Sequence, residues 1–501
     1  MLNTGCSDIS LLDYVSRATN DYIAAMPKTA RKQYGQFFTS PQTAEFMTSL
    51  FDLSAAVGTV SILDPGAGSG LLSAAMIERL QAQPRITKIK LVCYESNPDI
   101  LEQLQANLEY ICAHALNPVE YELRNQNYIL SQASAYRHEN ALGLESYDYV
   151  IGNPPYKKLR KDAPEAAVAE DVCYGAPNLY FIFAAMSLFN LKVNGELVYI
   201  IPRSWTSGAY FRKFRQKFLS QGALEHIHLF VSRDKVFDQE AVLQETTIVK
   251  VRKTTERPAS ITFTTSQCNL DFAAKTEFAA PYDLVVCGQD NYVFFLTCEE
   301  DVHTMQRLRK MDNTLADTGM RMRTGLTVGF RNRDALHATK APDSVPLFEA
   351  GHIRNGEVLF PFGEENFYLQ TKQAGLLQKN ANYLFVKRFT AKEEKRRLQC
   401  GIYLARKYPE YQEISTENKL NFISGDHNLS ECEVYGLYAL FNSTLYDNYY
   451  RILNGSTQVN ASEINSMPVP PLDTIRKMGQ MLMNIGDLSV QNCDQILGEF
   501  F

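Results

Sequence analysis

Asn153-Pro154-Pro155-Tyr156 follows an apolar run, Tyr147 to Gly152, so an amide, two prolines and an aromatic ring stand at the carboxyl end of a predicted strand. An exocyclic amine on a nucleobase is a poor nucleophile, because its lone pair is delocalised into the ring. The Asn153 side-chain oxygen and the Pro154 carbonyl can each accept one N–H of such an amine, which favours a pyramidal nitrogen with its lone pair aimed at an electrophile. Proline fixes its own φ and brings no competing N–H, so that carbonyl is held in place. Tyr156 can then lie against the base. The bland alternative is a strand that ends in a proline-stiffened turn.

A second group precedes it. Val60-Ser61-Ile62-Leu63 leads into Asp64-Pro65-Gly66-Ala67-Gly68-Ser69-Gly70. Glycines at a strand-to-helix turn let the backbone approach a ligand, and the helix amino terminus favours negative charge. Such a turn could equally serve NAD or FAD. However, the pattern is D-x-G-x-G, not the dinucleotide G-x-G-x-x-G, and Asp64 suits an ammonium group better than a pyrophosphate. Glu95, at the end of the next strand, is placed to accept from ribose hydroxyls; the alternative is a solvated strand-end charge. S-adenosylmethionine fits this set, with an ammonium, a carboxylate, a ribose and an adenine but no phosphate.

The elements that must position these residues are legible. Strands over 60–63, 89–94, 147–152, 195–202, 224–230 and 246–251 alternate with helices through Leu71–Leu80, Ile100–Leu108 and Asn178–Asn190, which implies a mostly parallel sheet covered by helices. After Arg257 the pattern changes to short apolar runs punctuated by Gly and Pro. The expected domains are a helical extension over 1–32, a catalytic domain over 33–255 and a further mixed α/β domain over 256–501, with a linker at 253–260.

With 501 residues, more than one core is expected. The net charge of −6 excludes a chain coated in positive charge but not a local nucleic-acid footprint. Ten cysteines without a C-x-x-C pair favour a reducing compartment, and the eight histidines are not ligand-spaced, so no metal is expected. No signal peptide or membrane span is visible, so the expected location is cytoplasmic, with no membrane partner.

With these motifs the chain resembles the amino-N6-adenine DNA methyltransferases of bacterial restriction–modification systems, within the N(4)/N(6)-methyltransferase family. It looks specifically like their gamma class, over roughly residues 33 to 255 and more diffusely beyond. The resemblance implies a Rossmann-like S-adenosylmethionine-dependent domain with a seven-stranded, mostly parallel sheet, followed by a target-recognition domain. Gln33 to Pro41 looks like the family's amino-terminal cofactor segment, with Thr39 near the methionine end. Asp64, Pro65, Gly66, Gly68 and Gly70 match the glycine loop, Glu95 the ribose acid, and Asn153, Pro154, Pro155 and Tyr156 the catalytic tetrapeptide. Asn178 matches the segment lining the cofactor pocket, and Phe237 the aromatic that stacks on an extruded adenine. One departure stands out: the family's acidic residue after the third strand is here Asn127, which could accept through its side-chain oxygen without charge.

The implied reaction is methyl transfer to adenine N6 in double-stranded DNA. The base is flipped out at a cost of a few kcal/mol, offset by stacking worth roughly 1–3 kcal/mol per contact. The implied protein is a monomer whose cognate restriction endonuclease is a genetic rather than a physical partner. Arg321, Arg323, Arg331, Arg333, Lys387 and Arg388 are candidates for DNA contact, against the alternative of a solvated face. The 157–177 loop could close over a flipped nucleotide or be a plain connection. The carboxyl-end layout looks somewhat like the modification enzymes of CTGCAG-type systems. The tetrapeptide alone also admits a methyltransferase acting on an RNA base or a protein glutamine. A nuclease fusion has only about thirty residues ahead of the cofactor segment to occupy. A DNA-binding module that has lost catalysis would not need Asp64, Asn153 and Tyr156.

Overall fold

The computed structural model describes residues 9–25, 39–137, 145–230, 245–362, 367–391, 393–454 and 457–501. By contacts the chain divides into two units, Met1–Thr206 with Tyr210–Thr297, and Ser207–Ala209 with Cys298–Phe501.

The first unit is built on one sheet. Its strands are β1 (Gly58–Asp64), β2 (Ile86–Tyr94), β3 (Val119–Arg124), β4 (Tyr147–Gly152), β5 (Leu191–Pro202), β6 (Ala223–Phe230), β7 (Thr246–Arg252), β8 (Ser260–Ser266) and β9 (Thr276–Pro281). They lie in the order β3-β2-β1-β4-β5-β7-β6-β8-β9. β1 to β5 are mutually parallel, whereas β7 runs antiparallel between β5 and β6. The α/β, mostly parallel expectation holds, but the strand count is nine instead of seven. β8 pairs in parallel with β6, and β9 antiparallel with β8. The expected domain boundary at 253–260 therefore falls between two strands of one sheet, and the first unit continues to Thr297.

Helices α1 (Leu11–Ala25), α2 (Pro41–Ser49), α3 (Leu71–Gln81), α4 (Pro98–His114), α5 (Tyr128–Ser131), α6 (Pro164–Val168) and α7 (Leu179–Asn190) accompany this sheet. Ten of the twelve α7 residues are buried, as its all-round apolar sequence requires. α1 is tied to the unit by Leu12 N–H donating to Glu78 Oε1 at 3.1 Å and by Tyr14 stacking on Tyr110. No helix among the described residues is long and apolar enough to cross a membrane.

The second unit contains a six-stranded and a five-stranded sheet. Phe348, Phe385, Tyr403 and Tyr408 form an aromatic cluster in its core. Helices Glu431–Phe441 and Leu472–Ile485 approach backbone to backbone. A Cβ on Gly436 would lie 1.9 Å from the Ile475 carbonyl oxygen, and one on Gly479 would lie 1.8 Å from that of Cys432.

Candidate active site

In an open parallel sheet, ligands sit beyond the carboxyl ends of the strands, where the chain reverses its direction of travel across the sheet. Here that reversal lies between β1 and β4, because β2 and β3 extend one way and β4 and β5 the other. A cavity of about 310 Å³ occupies this place. Its walls come from the tips of four strands: Pro65 to Ser69 after β1, Glu95 to Asn97 after β2, Gln126 and Asn127 after β3, and Asn153 to Pro155 after β4. Thr39, Tyr94, Tyr128, Lys157, Leu159, Glu165 and Phe183 also line it.

The glycine turn is held from both sides. Gly68 and Gly70 have φ of +55° and +82°, the left-handed region that favours glycine. Ala67 N–H donates to the Tyr94 carbonyl at 2.9 Å, which fixes the turn to the tip of β2. Glu95 does the same through its side chain: Oε2 accepts from Gly68 N–H at 2.9 Å and Oε1 from Asn97 N–H at 2.7 Å. Burial raises the Glu95 carboxyl above its ordinary value, against the pull of those backbone N–H groups. The carboxylate lines the cavity while anchoring its floor.

Asp64 sits differently from the sequence expectation of a carboxylate facing a ligand ammonium. It is fully buried, lies outside the cavity lining, and accepts from Ser73 Oγ at 2.8 Å, tying β1 to the first turn of α3. Burial pushes its carboxyl up to about 7, opposed by the Ser73 hydrogen bond and assisted by the charge of Glu95. Because side chains alternate across a strand, the last residue of β1 points into the sheet's packing and not over its tip.

At the β4 tip, Asn153 Nδ2 donates to Thr39 Oγ1 at 3.2 Å. That donation engages the amide nitrogen; the carboxamide's acceptor is Oδ1. Tyr156 OH donates to the Ile200 carbonyl on β5 at 3.0 Å, and burial raises its hydroxyl well above the ordinary value, so it remains a donor. Pro154 and Pro155 line the cavity; Tyr156 does not. Asn178 also lies outside the lining. It caps α7 through Tyr180 N–H and donates from Nδ2 to the Tyr156 carbonyl at 3.5 Å, so it braces the tetrapeptide. Phe237 and Gln33 to Phe38 lie outside the described residues.

The segment after the tetrapeptide is clasped at its base. Leu159 N–H donates to the Pro177 carbonyl at 2.7 Å and Leu179 N–H to the Lys157 carbonyl at 2.9 Å. Within the clasp, α6 carries Glu165 to the cavity, where its Oε1 accepts from Asn127 Nδ2 at 2.8 Å. Asn127 Oδ1 meanwhile accepts from Leu130 N–H at 3.1 Å and caps α5. Sequence reading missed Glu165, Ser73 and Phe183, whose places depend on packing between distant segments. The Pro-Glu start of a helix over 164–168 is the one local cue to Glu165.

In the second unit, Arg321 and Arg323 alternate outward on strand Met320–Thr324. Arg331 and Arg333 are exposed, whereas Lys387 and Arg388 are half-buried. Arg388 is held by its N–H to the Lys419 carbonyl at 3.0 Å and by its guanidinium to the Asn418 carbonyl at 2.8 Å, and Asn418 N–H reaches the Thr327 carbonyl at 2.8 Å. These bonds bring the segments beginning at 327 and 388 to one turn, flanked by Phe330 (67% exposed) and Phe389 (45% exposed). An arginine lies over each ring, Arg331 and Arg388 respectively. The basic run 395–397 is not a uniform solvated face. Arg397 is fully buried, with bonds to Thr390 Oγ1 and the Asn454 carbonyl.

The profile of the family described as Eco57I restriction-modification methylase matches residues 79–237. The type II methyltransferase M.PstI of Providencia stuartii is 30% identical over 503 residues, covering 98% of this chain and 96% of the relative. M.BsuBI of Bacillus subtilis is 30% identical over 480 residues, covering 92% and 93%. Among solved structures, the type IIL restriction-modification enzyme MmeI in complex with DNA shares the fold, with a TM-score of 0.59 at 11% identity over 98% of this chain and 79% of that one. Similarity over more than nine-tenths of the chain to two type II methyltransferases, together with the family match over residues 79–237, establishes that this chain belongs to the Eco57I restriction-modification methylase family.

Proposed function

We propose that this methyltransferase moves a methyl group from S-adenosylmethionine to the N6 amine of an adenine flipped out of double-stranded DNA, protecting that DNA from a cognate restriction endonuclease. One observation carries the reading. Asn153, whose carboxamide nitrogen donates to Thr39 Oγ1, and Pro154 line the same cavity as the glycine turn and Glu95, so that two carbonyl-type acceptors belong to one site with the cofactor motifs.

The lining suits the cofactor by its donor set. Backbone and Thr39 line one end, a carboxylate stands at the β2 tip where ribose hydroxyls need acceptors, and Tyr94, Tyr128 and Phe183 give an aromatic wall for a purine. S-adenosylmethionine supplies, when bound, an electrophilic methyl carbon on a sulfonium sulfur. Asn153 and Pro154 then accept the two N–H groups of the target amine and orient its lone pair, so positioning carries most of the catalysis. Pro155 stiffens the turn. Tyr156 is anchored by its hydroxyl, which fixes its ring, and Phe237 is assigned to the other face of the base by resemblance. Asp64 and Asn178 act as positioning residues, Asp64 behind the glycine turn and Asn178 behind the tetrapeptide.

Arg321, Arg323, Arg331, Arg333, Lys387 and Arg388 are assigned to DNA contact, with the turn flanked by Phe330 and Phe389 as their centre. The protein acts as a monomer in the cytoplasm, and the endonuclease is a genetic partner. Tritiated methyl transfer should label duplex DNA and neither RNA nor a release-factor glutamine. Sequencing of N6-methyladenine in cells expressing the protein should give one sequence context. Asn153→Ala should lower transfer by about 10³-fold or more, while cofactor affinity stays within a few fold, as expected when an interaction made chiefly in the transition state is removed. Near wild-type methylation by that variant would refute the assignment.

A further inference from the structure

We infer that Glu165 recognises the exocyclic amine of the cofactor's adenine, with Asn127 as the positioning residue that aims it. The inference rests on the reading of the cavity as the S-adenosylmethionine site. It concerns which group confers selectivity for the cofactor's base.

The β4 and β3 tips lie three interstrand spacings apart in the order β3-β2-β1-β4, or about 14 Å. With the reacting methyl at the Asn153 end and the ribose at Glu95 on β2, the purine falls at the β3 end. That end has the aromatic wall of Tyr94, Tyr128 and Phe183. An amine there requires an acceptor. Asn127 stands at the β3 tip but has its carboxamide turned the wrong way. Its oxygen caps α5 by accepting from Leu130, and its nitrogen is directed at Glu165. An amide held in this orientation offers donors toward the cavity, not an acceptor.

Glu165 resolves the mismatch. Two carboxylates occur among the described residues lining the cavity, Glu95 and Glu165. Glu95 stands at the β2 tip, the ribose end, where Gly68 and Asn97 N–H groups hold it. The Glu165 carboxylate has its Oε1 fixed by Asn127, which leaves Oε2 as the oxygen available to an amine. Its backbone is restrained as well, since the clasp at 157–159 and 177–179 closes the segment and Arg137 donates to the Ala167 carbonyl at 2.9 Å. The pairing therefore supplies a fixed, charged acceptor. A base carrying a carbonyl in place of the amine would set acceptor against acceptor.

The test compares binding of S-adenosylhomocysteine, S-inosylhomocysteine and the N6,N6-dimethyl analogue by calorimetry, without turnover. The wild-type protein should prefer the adenosyl ligand by about tenfold or more over both, the scale of a lost hydrogen bond to a charged group. Glu165→Gln should weaken the adenosyl ligand about tenfold and bring its preference over the inosyl ligand close to one, because the glutamine amide can donate to a carbonyl. Asn127→Ala should narrow the same preference, an effect that a merely structural role would not produce, and it carries the comparison should Glu165→Gln fail to fold. Unchanged preference in the variants, or equal binding of all three ligands by the wild type, overturns the role of Glu165 alone. Failure of the wild type to bind S-adenosylhomocysteine at all overturns the reading of the cavity, and this inference with it.

Discussion

Asp64 is a carboxyl group in a place that disfavours its charge, and the consequence is measurable. In the unfolded chain it ionises near 3.8, while in the folded protein it keeps its proton until about 7. Below the lower value both states are protonated and there is no effect. Through the window between them only the unfolded chain gains charge, so stability is lost as pH rises, by on the order of 4 kcal/mol, and it is level above about 7. Asp64→Asn preserves a partner for Ser73 and removes the titration. Its urea midpoint should match the wild type at pH 4 and exceed it at pH 8; parallel profiles would contradict the assignment. His226 and His228, pushed down by burial to about 4 and about 3, act in the opposite sense, losing stability as pH falls below 6.5. The comparison is therefore between variant and wild type at each pH. At this scale the sequence exposes chemistry that is contiguous. The tetrapeptide and the glycine turn could be read directly, because each is a run of residues on one strand tip. The direction of Asp64 could not, since it depends on which face of the sheet the last strand residue meets. The Asn127–Glu165 pair joins residues 38 positions apart, and no local pattern marks it.

Elements were legible wherever one face or the whole segment is apolar. β1, β2, β4, β5, β6 and β7, and α7 with its Asn178 cap, lie within a few residues of the positions read from periodicity. The strands past residue 255 were missed for a physical reason. β8 reads Ser-Ile-Thr-Phe-Thr-Thr-Ser, and its polar side chains serve inward-facing histidines: Thr264 Oγ1 lies 2.8 Å from both His226 Nε2 and His228 Nδ1, and Ser266 Oγ lies 3.1 Å from His228 Nε2. With polar side chains spent on buried partners, only Ile261 and Phe263 are left to alternate, too short a signal to announce a strand. The helix pair in the second unit was equally silent, because glycine inside a helix ordinarily signals weakness. Here Gly436 and Gly479 permit the backbone contact. Gly479→Ala places a methyl group against a carbonyl oxygen and should destabilise the second unit by about 1–3 kcal/mol or more, despite alanine's better helix propensity. A melting temperature equal to or above the wild type would show that the helices can separate without loss.

For the whole chain, the net charge of −6 makes association with a polyanion depend on where the cations lie. Each phosphate neutralised adds about 0.9 to the slope of log affinity against log salt. Arg331→Ala and Arg388→Ala should each reduce that slope by roughly that amount and weaken binding similarly across DNA sequences, as read by anisotropy titrations over a salt series. An unchanged slope would move the contact face elsewhere. The composition already excluded a uniformly basic protein, but only the fold gathers 327–331, 388–389 and 417–419 at one turn.

The clasp after the tetrapeptide bears on how such a protein can change. Two hydrogen bonds close the stem, so everything between residues 160 and 176 enters and leaves the structure at one fixed doorway. A replacement of different length that keeps the packing of Val168, Ala169 and Val172 could be spliced there with Asn153 left in place. Any feature that the excursion contributes to selectivity would travel with it as a cassette.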